Sequence, residues 1–185
     1  MLVLASASPR RQELLRNAGI AFVTQAPDID ETPLVGEAPR ACAERLAREK
    51  VRVVSQQRPK DFVLGADTVV VVEGQILGKP ADAADAARML RMLSGRTHEV
   101  ITGVCLVGPS FEEVKSELTV VTVSALSDDD IVSYVAGGEP MDKAGAYGIQ
   151  GVASRWISRI EGDYFNVVGL PVALVYRMLR ERQAL

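Results

Sequence analysis

Two adjacent arginines, Arg10 and Arg11, stand where a helix should begin, directly after Ala5-Ser-Ala-Ser-Pro9. A helix N-terminus carries partial positive charge and free N–H groups, so acidic residues are stabilising there and cations are not. An anion nearby would reverse that balance. Ser6, Ser8, Arg10, Arg11 and several free amides would gather at one strand-to-helix junction, an arrangement that many phosphate sites use. Solvated surface arginines beside an ordinary serine cap account for the same residues, and this segment alone does not separate the two.

Asp67 is the sharpest single candidate for chemistry. It directly follows the apolar run Phe62 to Ala66, so it should project from a sheet end, with Gly65 leaving room beside it. A carboxylate there can act on water as a general base, or bind Mg²⁺ and lower the pKa of a bound water. Hydrogen bonding to turn amides is its plainer use. Lys79 precedes Pro80, which favours extended backbone and lets the side chain point into the same cleft. Glu31, in a polar loop, is a candidate metal ligand or second acid, or plain surface. Lys50 lies at the edge of a helix's apolar stripe, where snorkelling to water is the commoner outcome and reaching into a cleft the alternative. The run Asp128-Asp129-Asp130 is better explained as helix-start charge than as a metal site.

Other chemistries find little support. His98 is the one histidine, which constrains zinc sites built from several imidazoles and Ser-His-Asp catalysis alike. A metal would therefore be held by oxygen ligands, hence magnesium or manganese. There is no Gly-x-x-x-x-Gly-Lys-Ser/Thr loop, no Gly-x-Gly-x-x-Gly and no Gly-x-Ser-x-Gly.

The elements that must position these residues alternate along the chain. Leu2 to Ala5 reads as a buried strand, and Ser8-Pro9 as an N-cap with proline at the first helical position, the helix stopping at Gly19. A strand near Ala21 to Gln25 precedes a long helix from about Pro39 to Ser55, with Ala43, Leu46, Ala47, Val51 and Val54 on one stripe. Phe62 to Ala66 reads as a strand, Asp67-Thr68 as a break, and Val69 to Val72 with Gln75 to Leu77 as a hairpin through Glu73-Gly74. Asp82, with Asp85 in a capping-box position, starts a helix to about Leu93. Strands at Val100 to Val107 and Val114 to Val123 should be antiparallel, and Ser127 opens a short helix ending at Gly137-Gly138. The three glycines of Asp142 to Gly151 suggest a loop whose backbone comes close to something. A last strand near Arg155 to Ile160 leads to a C-terminal helix after Pro171. This order predicts an α/β protein with a mixed sheet.

The chain has 185 residues, enough for one folding unit, or for two closely joined lobes around a cleft. Its formal charge of −3 argues against a general nucleic-acid binder and leaves room for a local basic pocket, so small anionic ligands fit better. Cys42 and Cys105 have neither CxxC spacing nor the density of a secreted scaffold, and the first residues run straight into a strand with no leader pattern. A cytoplasmic location is expected. No apolar run approaches a membrane span of about 20 residues, so no membrane partner is expected. A homodimer is the default for a small enzyme.

Together, Ser6-Ala-Ser-Pro-Arg-Arg11, Gly65-Ala-Asp-Thr-Val-Val70, Gly78-Lys-Pro80, Ser94-Gly-Arg-Thr-His98 and Asp142-Lys-Ala-Gly-Ala-Tyr-Gly-Ile-Gln-Gly151 resemble the Maf family of nucleoside triphosphate pyrophosphatases, nearly end to end. The resemblance implies a single domain over residues 1–185, with a mixed twisted sheet and flanking helices. It also implies two lobes around a cleft, as in the inosine triphosphatases, and a divalent metal, magnesium or manganese. The implied reaction releases pyrophosphate and a nucleoside monophosphate. By this resemblance Asp67 matches the proposed catalytic base. Ser6, Arg11, Glu31, Lys50 and Lys79 match other polar cleft residues, with Glu31 and Asp67 as the candidate metal ligands. Arg10, Thr68 and Gln150 match positions associated with substrate choice. The Ala-Tyr-Gly-Ile-Gln-Gly segment resembles the branch acting on dTTP and UTP, and Ala7 stands where glycine is common. The family's septum-formation label suggests an alternative, a nucleotide-binding regulator of cell division acting through a protein partner.

Overall fold

The structure, a computed structural model, describes all residues from Met1 to Leu185. In chain order its elements are β1 (Leu2–Leu4), α1 (Pro9–Asn17), β2 (Val23–Thr24), α2 (Pro39–Ser55), β3 (Phe62–Val72), β4 (Gln75–Leu77), α3 (Ala83–Leu93), β5 (Thr97–Gly108), β6 (Phe111–Val123), α4 (Asp128–Ala136), β7 (Ile157–Glu161), α5 (Tyr164–Val168) and α6 (Val172–Glu181). The strands form one seven-stranded sheet in the order β2-β1-β3-β5-β6-β7, with β4 paired to β3. β1 runs parallel to β2 and to β3, whereas β3–β4 and β6–β7 are antiparallel. Only Pro109 and Ser110 separate β5 from β6, which are sheet neighbours, and so short a connection requires an antiparallel pair. The sheet is therefore mixed, and the protein is α/β. No helix is long and apolar enough to cross a membrane.

The chain divides into two compact units, each assembled from separated segments: Met1–Thr68, Thr102–Glu117 and Gly169–Leu185 in the first, and Val69–Ile101 and Leu118–Val168 in the second. In the first unit, Val3, Ala5, Val63 and Cys105 pack with Ala47, Val51 and Val54 of α2 into one buried cluster. The helix starts at Pro39, whose fixed φ suits the first helical position, and its stripe of Ala43, Leu46, Ala47, Val51 and Val54 is buried throughout. Two glycines let it lie close. A Cβ on Gly103 of β5 would come 2.4 Å from the main chain of Ala43, and one on Gly65 of β3 would come 2.6 Å from Val51 Cγ2. At the start of α1, Ser8 accepts a hydrogen bond from the Arg11 amide, with Pro9 in the first turn and no acidic residue there.

One expectation is corrected here. β3 does not break at Asp67-Thr68 but runs unbroken from Phe62 to Val72, so Asp67 lies within a strand and not at its end. The polar pair does not end the strand because side chains, and not turn amides, satisfy it: Lys50 meets Asp67, and Arg11 meets Thr68. The parallel partner β1 pairs only with Phe62 to Leu64, so Asp67 does stand beyond the point where β1 has ended.

In the second unit, the Asp82 carboxylate caps α3 by accepting from the Asp85 amide, while Asp85 itself accepts from the Ala81 amide. Ser127 and Asp130 form a reciprocal capping box at α4, which accounts for the acidic run as helix-start charge. Leu90, Leu93, Ile131, Tyr134 and Trp156 are buried in this unit. The short helix α5 has no counterpart in the sequence reading.

Candidate functional site

Lys50 sits on the buried face of α2 and is only 5% exposed. It does not snorkel. Its Nζ lies 2.6 Å from Asp67 Oδ1 and 3.0 Å from Glu31 Oε1, so one ammonium joins a carboxylate in β3 to a carboxylate in the loop before α2. Burying an unpaired ammonium would cost far more than the stem gains by packing, and two anions at contact distance remove the need for water. Asp67 is buried, whereas the Glu31 side chain keeps 46% of its surface exposed. The pair occupies Oδ1 of Asp67 and leaves Oδ2 outside it.

The second feature of this unit is Arg11. Its Nε donates to the Gly169 carbonyl at 2.8 Å, and its Nη2 donates to Thr68 Oγ1 at 3.2 Å. Thr68 Oγ1 in turn lies 2.9 Å from Thr102 Oγ1, a hydroxyl on β5 that is fully buried. Gly169 has φ +126°, a conformation that favours glycine, and its carbonyl is the acceptor for the guanidinium. Burial pulls the Arg11 guanidinium below its ordinary pKa range. Asp67 and Glu31 act against that shift and neighbouring Arg10 adds to it, so all four side chains share one electrostatic environment. Arg10 is half-buried on the same turn. Ser6 is buried, and its Oγ accepts from the Ser8 amide at 3.1 Å, which fixes the chain between β1 and α1. Arg11 at the helix start thus lies in the field of opposite charge from Asp67 and Glu31.

The structure therefore links Lys50, Asp67 and Glu31 to one another and Arg11 to Thr68, with Ser6 and Arg10 in the same unit at the start of α1. Lys79 and Gln150 belong to the second unit, and both are exposed. Lys79 follows β4, and the Gly78 carbonyl before it accepts from the Gly145 amide at 3.0 Å. Gly145, at φ +71°, approaches Val70, where a Cβ would come within 2.9 Å of a methyl group. The loop's close approach at this glycine is to the protein's own strand.

Glu31 and Asp67 offer carboxylate oxygens of the kind a hard divalent cation takes, and the Lys50 ammonium stands at the point where the two approach each other. No group of three or more His, Cys, Asp or Glu side chains is arranged to hold a metal. Glu31 and Asp67 are the residues that would hold such an ion. Sequence reasoning missed Thr102 and Gly169. A lone hydroxyl within the apolar β5 run signals that a partner must exist, since a buried hydroxyl needs one. Gly169 carries no signal of its own.

Comparison with known proteins bears on this arrangement. The model of the family described as Maf-like protein matches residues 1–182. A dTTP/UTP pyrophosphatase of Koribacter versatilis is 62% identical over 179 residues, covering 97% of this chain and 93% of the relative. A protein of the same name from Symbiobacterium thermophilum is 56% identical over 180 residues, with 97% and 93% covered. Among solved structures, the Ham1 protein of Staphylococcus aureus superposes with a TM-score of 0.56 at 14% identity, covering 98% of both chains, a likeness of fold alone.

Proposed function

We propose that this chain, which belongs to the Maf-like protein family, is a nucleoside triphosphate pyrophosphatase that hydrolyses dTTP, UTP and related modified pyrimidine triphosphates. Relatives at 62% and 56% identity over nearly the whole chain carry the name dTTP/UTP pyrophosphatase. The observation that carries the reading is the group of Asp67, Lys50 and Glu31 with Arg11 in its field: paired anions and cations, drawn from three elements and a loop, at one place.

The reaction joins a water oxygen to the α-phosphorus and breaks the bond from that phosphorus to the oxygen bridging it to the β-phosphorus. Pyrophosphate leaves with the bond's electron pair, and the nucleoside monophosphate remains. Asp67, through Oδ2, takes the water's proton as general base. Lys50 holds Asp67 through Oδ1 and keeps the carboxylate aimed. Arg11 and Lys50 offset the charge of the triphosphate, the term expected to dominate catalysis of this kind, and Lys79 of the second unit is a further candidate cation by the resemblance. A magnesium or manganese ion held by Glu31 and Asp67 would add charge neutralisation and lower the pKa of a bound water. With the carboxylates exchanged, Glu31 as base and Asp67 as ligand, the same reaction results. Gln150, in the second unit, offers a donor and an acceptor to a pyrimidine edge, and Arg10, in the first, is the other candidate selector by the resemblance. Thr68, which the resemblance associates with substrate choice, holds Arg11 and through it acts on the phosphates that every nucleotide shares. Two unbonded, buried cysteines fit a reducing cytoplasm.

A nucleotide panel with magnesium or manganese tests the reading. Pyrophosphate and monophosphate should appear from dTTP and UTP ahead of purine triphosphates, and Asp67→Asn should lose about 10²–10⁴-fold in turnover with its circular dichroism unchanged. Orthophosphate as product, or a fully active Asp67→Asn protein, would overturn it.

A further inference from the structure

We propose that Glu139 is the positioning residue for Gln150, its carboxylate and the hydroxyl of Tyr134 fixing the backbone on both sides of that side chain. The inference rests on the reading of Gln150 as the residue that selects the base.

Gln150 sits in a tight turn, closed by a hydrogen bond from the Gly151 amide to the Gly148 carbonyl at 3.2 Å. Each flank of that turn is tied to the same pair of side chains. On the far side, the Val152 amide donates to Glu139 Oε2 at 3.1 Å. On the near side, the Gly148 amide donates to the Tyr134 hydroxyl at 3.3 Å, and that hydroxyl donates to Glu139 Oε1 at 2.9 Å. One carboxylate and one phenol thus bridge α4 to the residues on either side of Gln150. Tyr134 is buried and stacks edge-on against Trp156 at 5.3 Å, so the phenol is a rigid support. Lys143 adds a third tie, its Nζ donating to the Glu139 carbonyl at 2.6 Å.

The glycines of the motif complete the fit. A Cβ on Gly151 would fall 2.0 Å from Glu139 Oε1, and one on Gly148 would fall 2.7 Å from Lys143 Cε. Their lack of side chains makes room for the staple. A side-chain amide selects a base edge only if its backbone is held, since a misplacement of about 1 Å can cost on the order of 100-fold.

The test compares Gly151→Ala, Glu139→Ala, the double variant and Tyr134→Phe with the unaltered protein, reading kcat and KM separately for dTTP and dATP. A methyl at position 151 must push the carboxylate off its partners, so each single change should lower the ratio of kcat/KM for dTTP over dATP by about tenfold. The loss should fall in KM for dTTP, with kcat held within about twofold. The double variant should be no worse than Glu139→Ala, because the methyl then meets no carboxylate. Additive losses, or unchanged discrimination in all four, overturn the proposal when Gln150→Ala itself lowers the ratio. If Gln150→Ala leaves the ratio unchanged, the selector reading fails, and amide hydrogen exchange decides the positioning claim. Loss of protection at Gly148 and Val152 in Glu139→Ala, with β5 amides still protected, upholds the staple. Unchanged protection overturns it.

Discussion

The hydroxyl of Thr68 is engaged on three sides, by Arg11 Nη2 at 3.2 Å, Thr102 Oγ1 at 2.9 Å and the Gly169 carbonyl at 3.4 Å. A hydroxyl has one donor and two acceptor sites, so little capacity is left for a base. Thr68→Val, which keeps the shape and removes the oxygen, should raise KM for every nucleotide by a similar factor of roughly tenfold, because it leaves a part-buried guanidinium N–H without its acceptor at about 1–3 kcal/mol. Thr68→Ser should restore most of the loss. Steady-state kinetics with dTTP and dATP checks this, and a change confined to one base would mean that Thr68 reads the base directly. At this scale the sequence made residue types legible and left partners hidden. Asp67 stood out after an apolar run, and Lys50 at a stripe edge, but the carboxylate that keeps the lysine from water is 17 residues away on another element. Nothing local to Lys50 could choose between water and Asp67.

At the scale of elements, α2 carries Lys50, and its distance from the sheet decides whether the ammonium reaches Asp67. Gly103 sets that distance most tightly, since its neighbours are the main-chain carbon and oxygen of Ala43 and the Glu44 amide, none of which can rotate aside. Gly103→Ala should therefore cost about 1–3 kcal/mol in urea unfolding. Gly78→Ala, where a Cβ meets nothing within 4 Å, should stay within about 0.5 kcal/mol. Equal effects would show that the close approach of helix and strand is not what Gly103 provides. The bounds of α2 were readable because Pro39 and a long stripe act locally. The continuity of β3 through Asp67-Thr68 was not, because it depends on side chains of α1 and α2 meeting the polar pair.

For the whole molecule, stability should weaken in acid through one buried histidine. His98 is 3% exposed, its Nε2 lies 2.7 Å from the Tyr147 hydroxyl, and its Nδ1 has no partner. Burial pushes its pKa from the ordinary 6.5 down to about 4. The unfolded chain then binds the extra proton first, so this contribution is complete above pH 6.5 and is lost as pH falls through about 4. Roughly 3 kcal/mol is at stake. Urea unfolding at neutral and acid pH should show a shallower pH dependence for His98→Gln, which keeps a partner for Tyr147, and identical slopes would contradict the assignment. The α/β class and the mixed sheet were legible from the order of elements. Two lobes were an expectation from length and from the resemblance, but the bounds of the two units were not legible, because each is assembled from separated segments and no linker composition marks either. The central claim is that water attacks the α-phosphorus of a pyrimidine triphosphate, and its most direct test is hydrolysis of dTTP in ¹⁸O-water with mass analysis of both products. The label is predicted in the thymidine monophosphate; label in the pyrophosphate, or release of orthophosphate, would contradict it.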